Sequence, residues 1–516
     1  MPLTFVLESA TVQRWLSLGI HFHVIEALAL VMTVYFLIQR SYKLQSKKRK
    51  SSSGQQQLQQ RHTRGRGDAQ TLSEQEKAAL IASWRPAPLA DAPRKAEMDL
   101  LEANRSAVLQ LSSAAMPRCD VDNHKNVLNL AATNFANVLG DVRVEDACVR
   151  TMQQFGLGSC GPRGFYGTTT EHMRCEEVFA KWTGAPECIS YSFGSSVPSS
   201  VIPAFCKRDD LVVCEEGCNF SIQNGVTLSR SIVKYFKAGD YDELEQIIQH
   251  VVARDKPRAR MTQRRFVVVE AINSTYGTIA RLDKLVEFRN KYKFRIMLDE
   301  SYSLGALGAS GRGLVEHFGL QRADVDITMA DAGNALCSVG GFCCGEPTVV
   351  RHQRLSGAGY CFSAAQPPFL ATACVEAIHI LEQEGKARTD KLRRNVQVFR
   401  KALCGEFFTA GAVKISDAWK VDGDVLSPLI FIRPAEETSC ENAAALAQQQ
   451  RRLLNIRDAL LPRGVMVAVP HQAELYNGSL SIPGLRIAIS AGHEAEDLEF
   501  AAAEVRAVLS LHESER

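Results

Sequence analysis

Residues 266–300 read FVVVEAINSTYGTIARLDKLVEFRNKYKFRIMLDE, and the order of patterns in this stretch decides the fold. Two short apolar runs, Phe266–Val269 and Phe294–Leu298, flank a helical pattern at Leu282–Tyr292. An almost continuous apolar run is typical of a strand that is buried on both faces. The stretch therefore predicts two parallel strands joined by a helix, within a sheet that helices cover on both sides.

The same alternation extends in both directions from this unit. After about residue 375 it gives way to helical stretches around a few strands, which predicts a second, smaller domain. We expect an α/β protein with a mainly parallel sheet in its large domain and a smaller C-terminal α+β domain. The other predicted elements are a helix at Tyr241–Val252 and strands at Cys188–Phe193, Leu211–Cys214, Ile327–Met329, Gly341–Cys344, Leu429–Ile432, Val465–Val469 and Leu485–Ile489.

The composition is that of a globular protein. The chain has 516 residues, of which 46% are hydrophobic and 23% are charged, with 35 Gly and 18 Pro. These values exclude a collagen-like chain, a disordered chain and a small disulfide scaffold. Residues 40–66 hold nine Lys or Arg and no acid, so the rest of a chain of net charge +3 is mildly acidic. A single basic segment does not indicate a nucleic-acid binder, which carries its positive charge over a face of the fold.

The fifteen cysteines are scattered, and none forms a C-x-x-C pair. The usual paired-cysteine zinc spacings are therefore absent, and we predict no metal site. Cys188, Cys214, Cys343 and Cys344 lie in apolar runs, where a buried free thiol is the ordinary interpretation. Free thiols indicate a reducing compartment, which is the cytosolic side of any membrane.

An apolar segment near the N-terminus predicts a membrane anchor. Residues 15–38 read WLSLGIHFHVIEALALVMTVYFLI, which is long enough to cross a bilayer. The basic cluster follows the segment, so residues 1–14 are expected in the lumen and the bulk of the chain in the cytosol. A membrane-surface helix and a cleaved signal peptide are the alternatives. Residues 39–72 then form a basic, Gln-rich flexible linker, and a capping box at Ser73 and Glu76 starts a helix.

Three chemical interpretations of the motifs compete. Gly156–Gly161 matches G-x-G-x-x-G, but a helical pattern precedes it where a dinucleotide site needs a strand. Asp299 and Glu300 end a strand and suit Mg²⁺, but the chain lacks the phosphate-cradling G-x-x-x-x-G-K-[ST] loop of such enzymes. The third interpretation pairs Asp299 with the ring nitrogen of pyridoxal phosphate, whose carbonyl a lysine would hold as a Schiff base.

Further motifs support the third interpretation through a resemblance. The chain resembles the alpha-oxoamine synthases, a family of fold-type I pyridoxal-phosphate enzymes, and within it the non-catalytic long-chain-base subunits of serine palmitoyltransferases. The resemblance covers about residues 90–512. The matching motifs are GSCGPRGFYGTTTEH (158–172), FKAGDYDELEQII (236–248), VVVEAINSTYGTIARLDKL (267–285), MLDESYSLGALGASGRG (297–313), GGFCCG (340–345), HQRLSGAGYCFSA (352–364) and LRIAISAGHEAEDL (485–498).

The departures from the family pattern bear on catalysis. Catalytic members carry a T-F-x-K block, and the aligned block here is Asp331-Ala-Gly-Asn334. An amide cannot form a Schiff base, and no Lys occurs from residue 294 to residue 385. The histidine that stacks on the cofactor ring is Asn219 here, and the His of the D-E-A-H block is Tyr302. The resemblance is therefore to a subunit with no catalytic residue of its own.

The resemblance implies a partner and a reaction. Serine palmitoyltransferase condenses L-serine with palmitoyl-CoA to 3-ketosphinganine, the first step of sphingolipid synthesis. A catalytic long-chain-base subunit would hold pyridoxal 5'-phosphate covalently, and this chain would complete its active site in a heterodimer at the endoplasmic reticulum membrane. Small regulatory membrane proteins are expected as further partners.

The same resemblance supplies the candidate site residues. Asp299 and Ser363 are the cofactor-binding candidates, with Ser363 directed at the partner's phosphate, and Arg486 matches a carboxylate-binding arginine. The wall of the partner's active site would consist of Cys160, Gly161, Arg163, Phe165 and Tyr166.

Simpler interpretations remain open for each of these residues. The loop at 156–167 could be only a rigid turn, Asp299 could cap a neighbouring loop, Arg486 could make a structural ion pair, and His493 could be packed. Two other functions also remain open. They are a self-sufficient enzyme that uses a distant lysine, and a membrane regulatory protein without enzymatic activity.

The chain is thus expected to have six parts. They are a luminal N-terminus (1–14), a transmembrane helix (15–38), a linker (39–72), an N-terminal helical arm (73–125), a large pyridoxal-transferase-like domain (126–372) and a small C-terminal domain (373–512).

Overall fold

The computed structural model describes residues 28–29, 31–32, 73–86, 98, 108–255, 263–405, 412–436, 443–470 and 482–513. The chain forms two compact units, Met1–Asp91 and Ala92–Arg516. The predicted transmembrane segment lies outside the described residues, except for four helical positions at 28–29 and 31–32. Across the described ranges, none of the helices has both the length and the apolar character needed to cross a bilayer.

The first unit contains helix α1 (Glu74–Ser83). Its start confirms the predicted capping box: the Ser73 hydroxyl accepts a hydrogen bond from the Glu76 amide at 3.3 Å, and the Glu76 carboxylate accepts one from the Ser73 amide at 2.8 Å. The reciprocal bonds satisfy two of the amides that a helix start leaves unpaired.

A seven-stranded sheet forms the centre of the second unit, in the order β3-β9-β8-β7-β6-β4-β5. Strands β4 to β8 pair in parallel, and β9 is antiparallel to both of its neighbours. This mixed sheet agrees with the mainly parallel sheet that the sequence predicts. The strands are β3 (Glu187–Tyr191), β4 (Leu211–Glu215), β5 (Ile232–Phe236), β6 (Arg265–Glu270), β7 (Arg295–Asp299), β8 (Ile327–Asp331) and β9 (Gly341–Gly345).

Both faces of this sheet are buried, as the continuous apolar runs predict. In β4, Leu211 and Val213 pack into one hydrophobic cluster, and Val212 and Cys214 pack into the cluster on the opposite face. This period of two is the geometry of a strand covered on both sides. The helices of this part are α2 (Val142–Phe155), α3 (Thr170–Thr183), α4 (Ser196–Phe205), α5 (Phe220–Ser229), α6 (Tyr241–Ala253), α7 (Leu282–Tyr292), α8 (Leu314–His317), α9 (Ala332–Leu336), α10 (Pro347–Ser356) and α11 (Ala358–Cys361).

Two smaller sheets accompany the central one. A four-stranded antiparallel sheet has the order β10-β11-β12-β14, and a three-stranded sheet has the order β1-β2-β13. The strands are β1 (Arg118–Val121), β2 (His124–Asn129), β10 (Val413–Lys414), β11 (Trp419–Asp422), β12 (Leu429–Pro434), β13 (Val465–Met466) and β14 (Leu485–Ala488), and the remaining helices are α12 (Pro368–Cys404), α13 (Ala443–Leu460) and α14 (Ala495–Leu511).

The predicted strands are confirmed to within about two residues at most ends, and β13 is shorter than expected. Five described strands, β1, β2, β5, β10 and β11, were not predicted. Edge strand β5 is only partly buried, so its sequence IVKYF lacks a continuous apolar run. Strands β1 and β2 form a hairpin within and just beyond the arm that was expected to be helical, and the short alternation RCDV of β1 is their weak signal.

A buried ion pair fixes the connection after β7. The Arg322 guanidinium donates to Glu300 at 2.9 Å, and the side chains are 4% and 0% exposed. Glu300 also accepts from the Leu314 amide at 2.7 Å and from the Ser303 hydroxyl. Loss of one member of a buried pair leaves an uncompensated charge, which costs more than the loss of both charges.

We therefore expect Arg322→Met to lower the free energy of unfolding by about 3–5 kcal/mol. The double variant Glu300→Gln with Arg322→Met should recover part of this loss, because glutamine still accepts from Ser303 and Leu314. Thermal and urea unfolding of the purified chain measure both effects. The exposed Arg312→Met is the matched control, and an equal loss from it would contradict the role of burial.

Candidate cofactor pocket and subunit surface

Four strands of the central sheet carry a carboxyl group at their C-terminal ends. Glu215 ends β4, Glu270 ends β6, Asp299 ends β7 and Asp331 ends β8. The first three are at most 3% exposed. Ligands of open α/β sheets bind at this edge, so the four groups surround the position where the fold would hold a cofactor.

One amide joins two of these carboxyl groups. Asn219 Nδ2 donates to Glu270 at 2.8 Å and to Asp299 at 3.2 Å. Its Oδ1 accepts from the Ile222 amide at 3.0 Å and thereby caps helix α5. The second Asp299 oxygen accepts from the Ser301 amide at 2.9 Å, so both oxygens of Asp299 are engaged within the chain. The bond to Ser301 agrees with the interpretation of Asp299 as a loop cap.

Burial makes these carboxyl groups weak acids. Burial, together with the charge of the neighbouring Asp299, raises the pKa of Glu270 to about 8. It also raises the pKa of Asp299, and it brings the pKa of Glu215 to about 7. Hydrogen bonds from Ser274 to Glu270 and from Asn273 to Glu215 oppose the rise. Adjacent buried carboxyl groups of this kind share protons near neutral pH.

Asn334 occupies helix α9, directly after β8. Its Nδ2 donates to the Ser301 carbonyl at 3.0 Å, and its Oδ1 accepts from the Thr133 hydroxyl at 2.6 Å. Both ends of the amide are therefore used in structural bonds. Tyr302 lies nearby with its ring centroid 6.3 Å from that of Phe135, and burial raises the pKa of its hydroxyl.

Asp331 is the N-cap residue of α9, and its two carboxylate oxygens contact different segments. One carboxylate oxygen accepts from the Gly333 amide and caps this helix. The other lies over Gly194, so closely that a Cβ on residue 194 would be 1.5 Å from it. Gly194 immediately precedes Ser195, the N-cap residue of α4. Burial raises the pKa of Asp331, and the charge of Asp299 acts in the same direction.

The loop at 156–167 presents aromatic side chains to solvent. Phe165 is 68% exposed and Tyr166 is fully exposed, at a positive φ of 64°. Gly167 fits because a Cβ there would lie 1.9 Å from the Gly161 carbonyl oxygen. The loop is hydrogen-bonded to the segment 362–366, because the Ala365 amide donates to the Gly161 carbonyl at 2.8 Å.

The other predicted wall residues divide between surface and interior. Cys160 is exposed on the loop. Arg163 is buried instead, and it donates to Glu176 at 2.8 Å and to Ser190 at 2.7 Å. Arg163 therefore lies beneath the exposed surface of the loop, and its bonds hold the loop to helix α3 and strand β3. Ser363 donates to the Gly359 carbonyl, beside a Phe362 that is 85% exposed.

Two further candidates contact backbone atoms. Arg486 donates to the Ala131 carbonyl at 3.3 Å, and its Nε is buried without a partner. Among the described residues it has no ion pair, so the structural ion pair expected for it is not seen there. His493 accepts from the Ser490 amide at 3.1 Å and contacts the Asn129 carbonyl at 3.1 Å. Burial lowers the pKa of His493 to about 4, which fits a neutral, packed ring.

Sequence reasoning missed Glu215, Glu270 and Thr133 as parts of this pocket. The first two did carry a signal, because each ends an apolar strand in the same way as Asp299: LVVCE, FVVVE and IMLDE. Thr133 carried none, since it lies 201 residues from the Asn334 side chain that it contacts.

Comparisons with known proteins agree with this geometry. Residues 125–505 match the family model for aminotransferase class I and II. The chain is 36% identical over 495 residues to long chain base biosynthesis protein 1c of Oryza sativa subsp. japonica, covering 95% of this chain and 92% of that protein. It is 33% identical over 431 residues to serine palmitoyltransferase 1 of Dictyostelium discoideum, covering 83% and 86%.

The chain belongs to the serine palmitoyltransferase family. Membership connects it to the synthesis of sphingolipid long-chain bases. The fold is also that of a solved serine palmitoyltransferase from S. paucimobilis with a bound pyridoxal phosphate–myriocin aldimine. That match has a TM-score of 0.66 at 20% identity and covers 80% of this chain and 97% of the other. The fold is therefore that of the fold-type I pyridoxal-phosphate enzymes.

The residues of this chain's own pocket do not fit that cofactor. Asn334 offers an amide where a Schiff base needs an amine. Both oxygens of Asp299 already accept hydrogen bonds, from Asn219 and from Ser301, so a pyridinium N–H would have to compete with these donors. Asp331 places a carboxylate at the start of α4, where a phosphate would meet a like charge. The polar groups around this position are bonded to one another within the chain.

The raised pKa of Glu270 predicts a pH dependence of stability. The folded chain holds this proton up to about pH 8, whereas an unfolded glutamate loses it near 4.5, so stability falls as pH rises between these values. We expect the free energy of unfolding of Glu270→Gln to decrease by about 2–4 kcal/mol less than that of the wild type over this pH range. Its melting temperature should exceed that of the wild type at pH 8 and differ little at pH 5. Glu287→Gln, at a half-exposed pair with Lys284, is the control; an equal effect from it would contradict the assignment.

Proposed function

We propose that this chain is the non-catalytic subunit of a heterodimeric serine palmitoyltransferase. In this proposal it completes and stabilises the active site of a homologous catalytic subunit, which condenses L-serine with palmitoyl-CoA to 3-ketosphinganine. The partner's lysine holds pyridoxal phosphate, which supplies the electron sink for carbanion chemistry at the serine α-carbon. This chain supplies positioning and surface, and no reacting group.

Asn334 is the observation that carries the proposal. It stands where catalytic members have their lysine, and its amide is bonded at both ends to Ser301 and Thr133. A side chain held in this way serves the stability of the fold. A self-sufficient enzyme would need a lysine from elsewhere, and none occurs between residues 294 and 385.

The exposed aromatic surface supports a protein partner. Leu157, Phe165, Tyr166 and Phe362 are each at least 68% exposed. They lie on two segments joined by a backbone hydrogen bond from the Ala365 amide to the Gly161 carbonyl. Exposed apolar groups held on a rigid loop are typical of an interface, and aromatic residues contribute most to such contacts. Ser363 lies on the same segment as Phe362, and in this proposal its hydroxyl turns from the Gly359 carbonyl to the partner's cofactor phosphate when the subunits join.

Affinity purification of the tagged chain from detergent tests the heterodimer. We expect a stoichiometric homologue that carries the T-F-x-K block, with condensation activity only when both chains are present. Tyr166→Asp and Phe165→Asp should each lower the recovered partner by at least about tenfold, since a charge would be buried at the contact.

Phe500→Asp is the matched control, because Phe500 is an exposed aromatic residue on α14. Self-association without a homologue would contradict the proposal, and so would condensation activity of the isolated chain. Activity that persists in cells depleted of this chain would favour a regulatory protein without enzymatic role.

We also propose that the chain is anchored in the endoplasmic reticulum membrane, with its bulk in the cytosol. The support is the sequence of residues 15–38 and the basic cluster behind it. The acyl substrate and the product both partition into membranes, so an anchored site shortens their path. Contact of the anchor with small regulatory membrane proteins belongs to the same proposal.

Deletion of residues 1–45 should move the chain from the membrane to the soluble fraction when it is expressed alone. Partner recovery should stay within about twofold of the full chain, because the proposed interface lies beyond residue 156. Feedback inhibition by sphingolipids should weaken. Fractionation, recovery and inhibition assays measure the three effects, and loss of the partner would contradict this division of roles.

A further inference from the structure

Asp331 places a negative charge at a helix start on the cofactor edge of the sheet. One of its oxygens lies directly over Gly194, one residue before the N-cap of the ten-residue helix α4. The start of a helix at the carboxyl edge of a parallel sheet binds phosphate well, because its free amides and its dipole both favour an anion. Here the anion comes from the chain itself.

We propose that the negative charge of Asp331, held at the helix start where the phosphate would bind, excludes pyridoxal phosphate from this subunit, so that the missing lysine is only one of two blocks. The inference rests on the proposed non-catalytic function and deepens it. It assigns to Asp331 a part in selectivity: the pair of subunits loads its cofactor in the partner alone.

The argument from charge is direct. A phosphate monoester carries nearly two negative charges at neutral pH. The carboxylate of Asp331 would lie beside it at the same helix start, and like charges at contact distance repel strongly where water is excluded. A neutral residue of the same shape at position 331 would remove this repulsion and could donate a hydrogen bond to the phosphate.

The structural role of Asp331 can be separated from its charge. Its carboxylate caps α9 by accepting from the Gly333 amide. Asparagine caps a helix start about as well as aspartate. Asp331→Asn therefore retains the cap and the shape of the side chain while it removes the charge.

The experiment restores the lysine with and without this charge. Asn334→Lys and the double variant Asp331→Asn with Asn334→Lys are prepared as full chains with their partner at pH 8, which favours the ionised form of a carboxyl group. Each is incubated with pyridoxal phosphate or with pyridoxal, which lacks the phosphate, and is reduced with borohydride. Mass spectrometry then quantifies the label on the peptide that contains residue 334, so label on the partner's lysine does not interfere.

We expect Asn334→Lys to be labelled by pyridoxal and at least about tenfold less by pyridoxal phosphate. The double variant should be labelled by both aldehydes, with pyridoxal phosphate raised at least about tenfold. Asp240→Asn with Asn334→Lys is the matched control, because Asp240 caps helix α6 in the same way. It should behave like Asn334→Lys alone.

Three outcomes would overturn the inference: equal labelling of Asn334→Lys by both aldehydes, no gain from Asp331→Asn, or no label from either aldehyde in any variant. Melting temperature and partner recovery establish that each variant is folded. The labelling at residue 334 is read independently of condensation activity. A wild-type chain that lacks a homologous partner would refute the proposed function and still leave the charge effect measurable.

Discussion

The need to satisfy buried carboxyl groups governs the centre of this molecule. Glu215, Glu270 and Asp299 end three neighbouring strands with almost no access to water. Each must find donors within the chain or hold a proton, because an unpaired buried charge costs several kcal/mol. The donors are side-chain amides, a hydroxyl and backbone amides of the loops that follow the strands. Groups that would otherwise be available to a ligand are thus directed at one another.

The two asparagines at the family's catalytic positions suit this arrangement. An amide donates and accepts at the same time, so Asn219 caps α5 with its oxygen and joins Glu270 to Asp299 with its nitrogen. Asn334 likewise connects Thr133 to the loop after β7. A lysine ammonium donates only, and a neutral imidazole offers one donor and one acceptor in a fixed geometry. Asn219 and Asn334 therefore supply cross-links that stabilise the pocket.

Much of the fold could be predicted from the sequence because strands buried on both faces of a parallel sheet have continuous apolar sequences. Asp299 could be placed at a strand end for the same reason. The three-stranded sheet could not be predicted in this way. It pairs β2 with β13, so Val465 lies beside Leu128 although more than three hundred residues separate them in the sequence. The sequence also did not indicate that the Arg163 side chain is buried. Its loop carries a glycine-rich, exposed pattern, and only the contact with Glu176 explains why this one side chain turns into the core.

Arg163 also explains how the exposed loop at 156–167 is held in place. Arg163 and Glu176 are 5% and 10% exposed, so their pairing holds the loop to the large domain at a point that thermal motion rarely opens. The close approach of Gly167 to the Gly161 carbonyl fixes the turn itself. Tyr166 is then presented outward at a positive φ, a conformation that costs free energy and persists only where the surroundings enforce it. A surface prepared in this way loses little conformational entropy when a partner binds, and this favours a stable interface over a transient one.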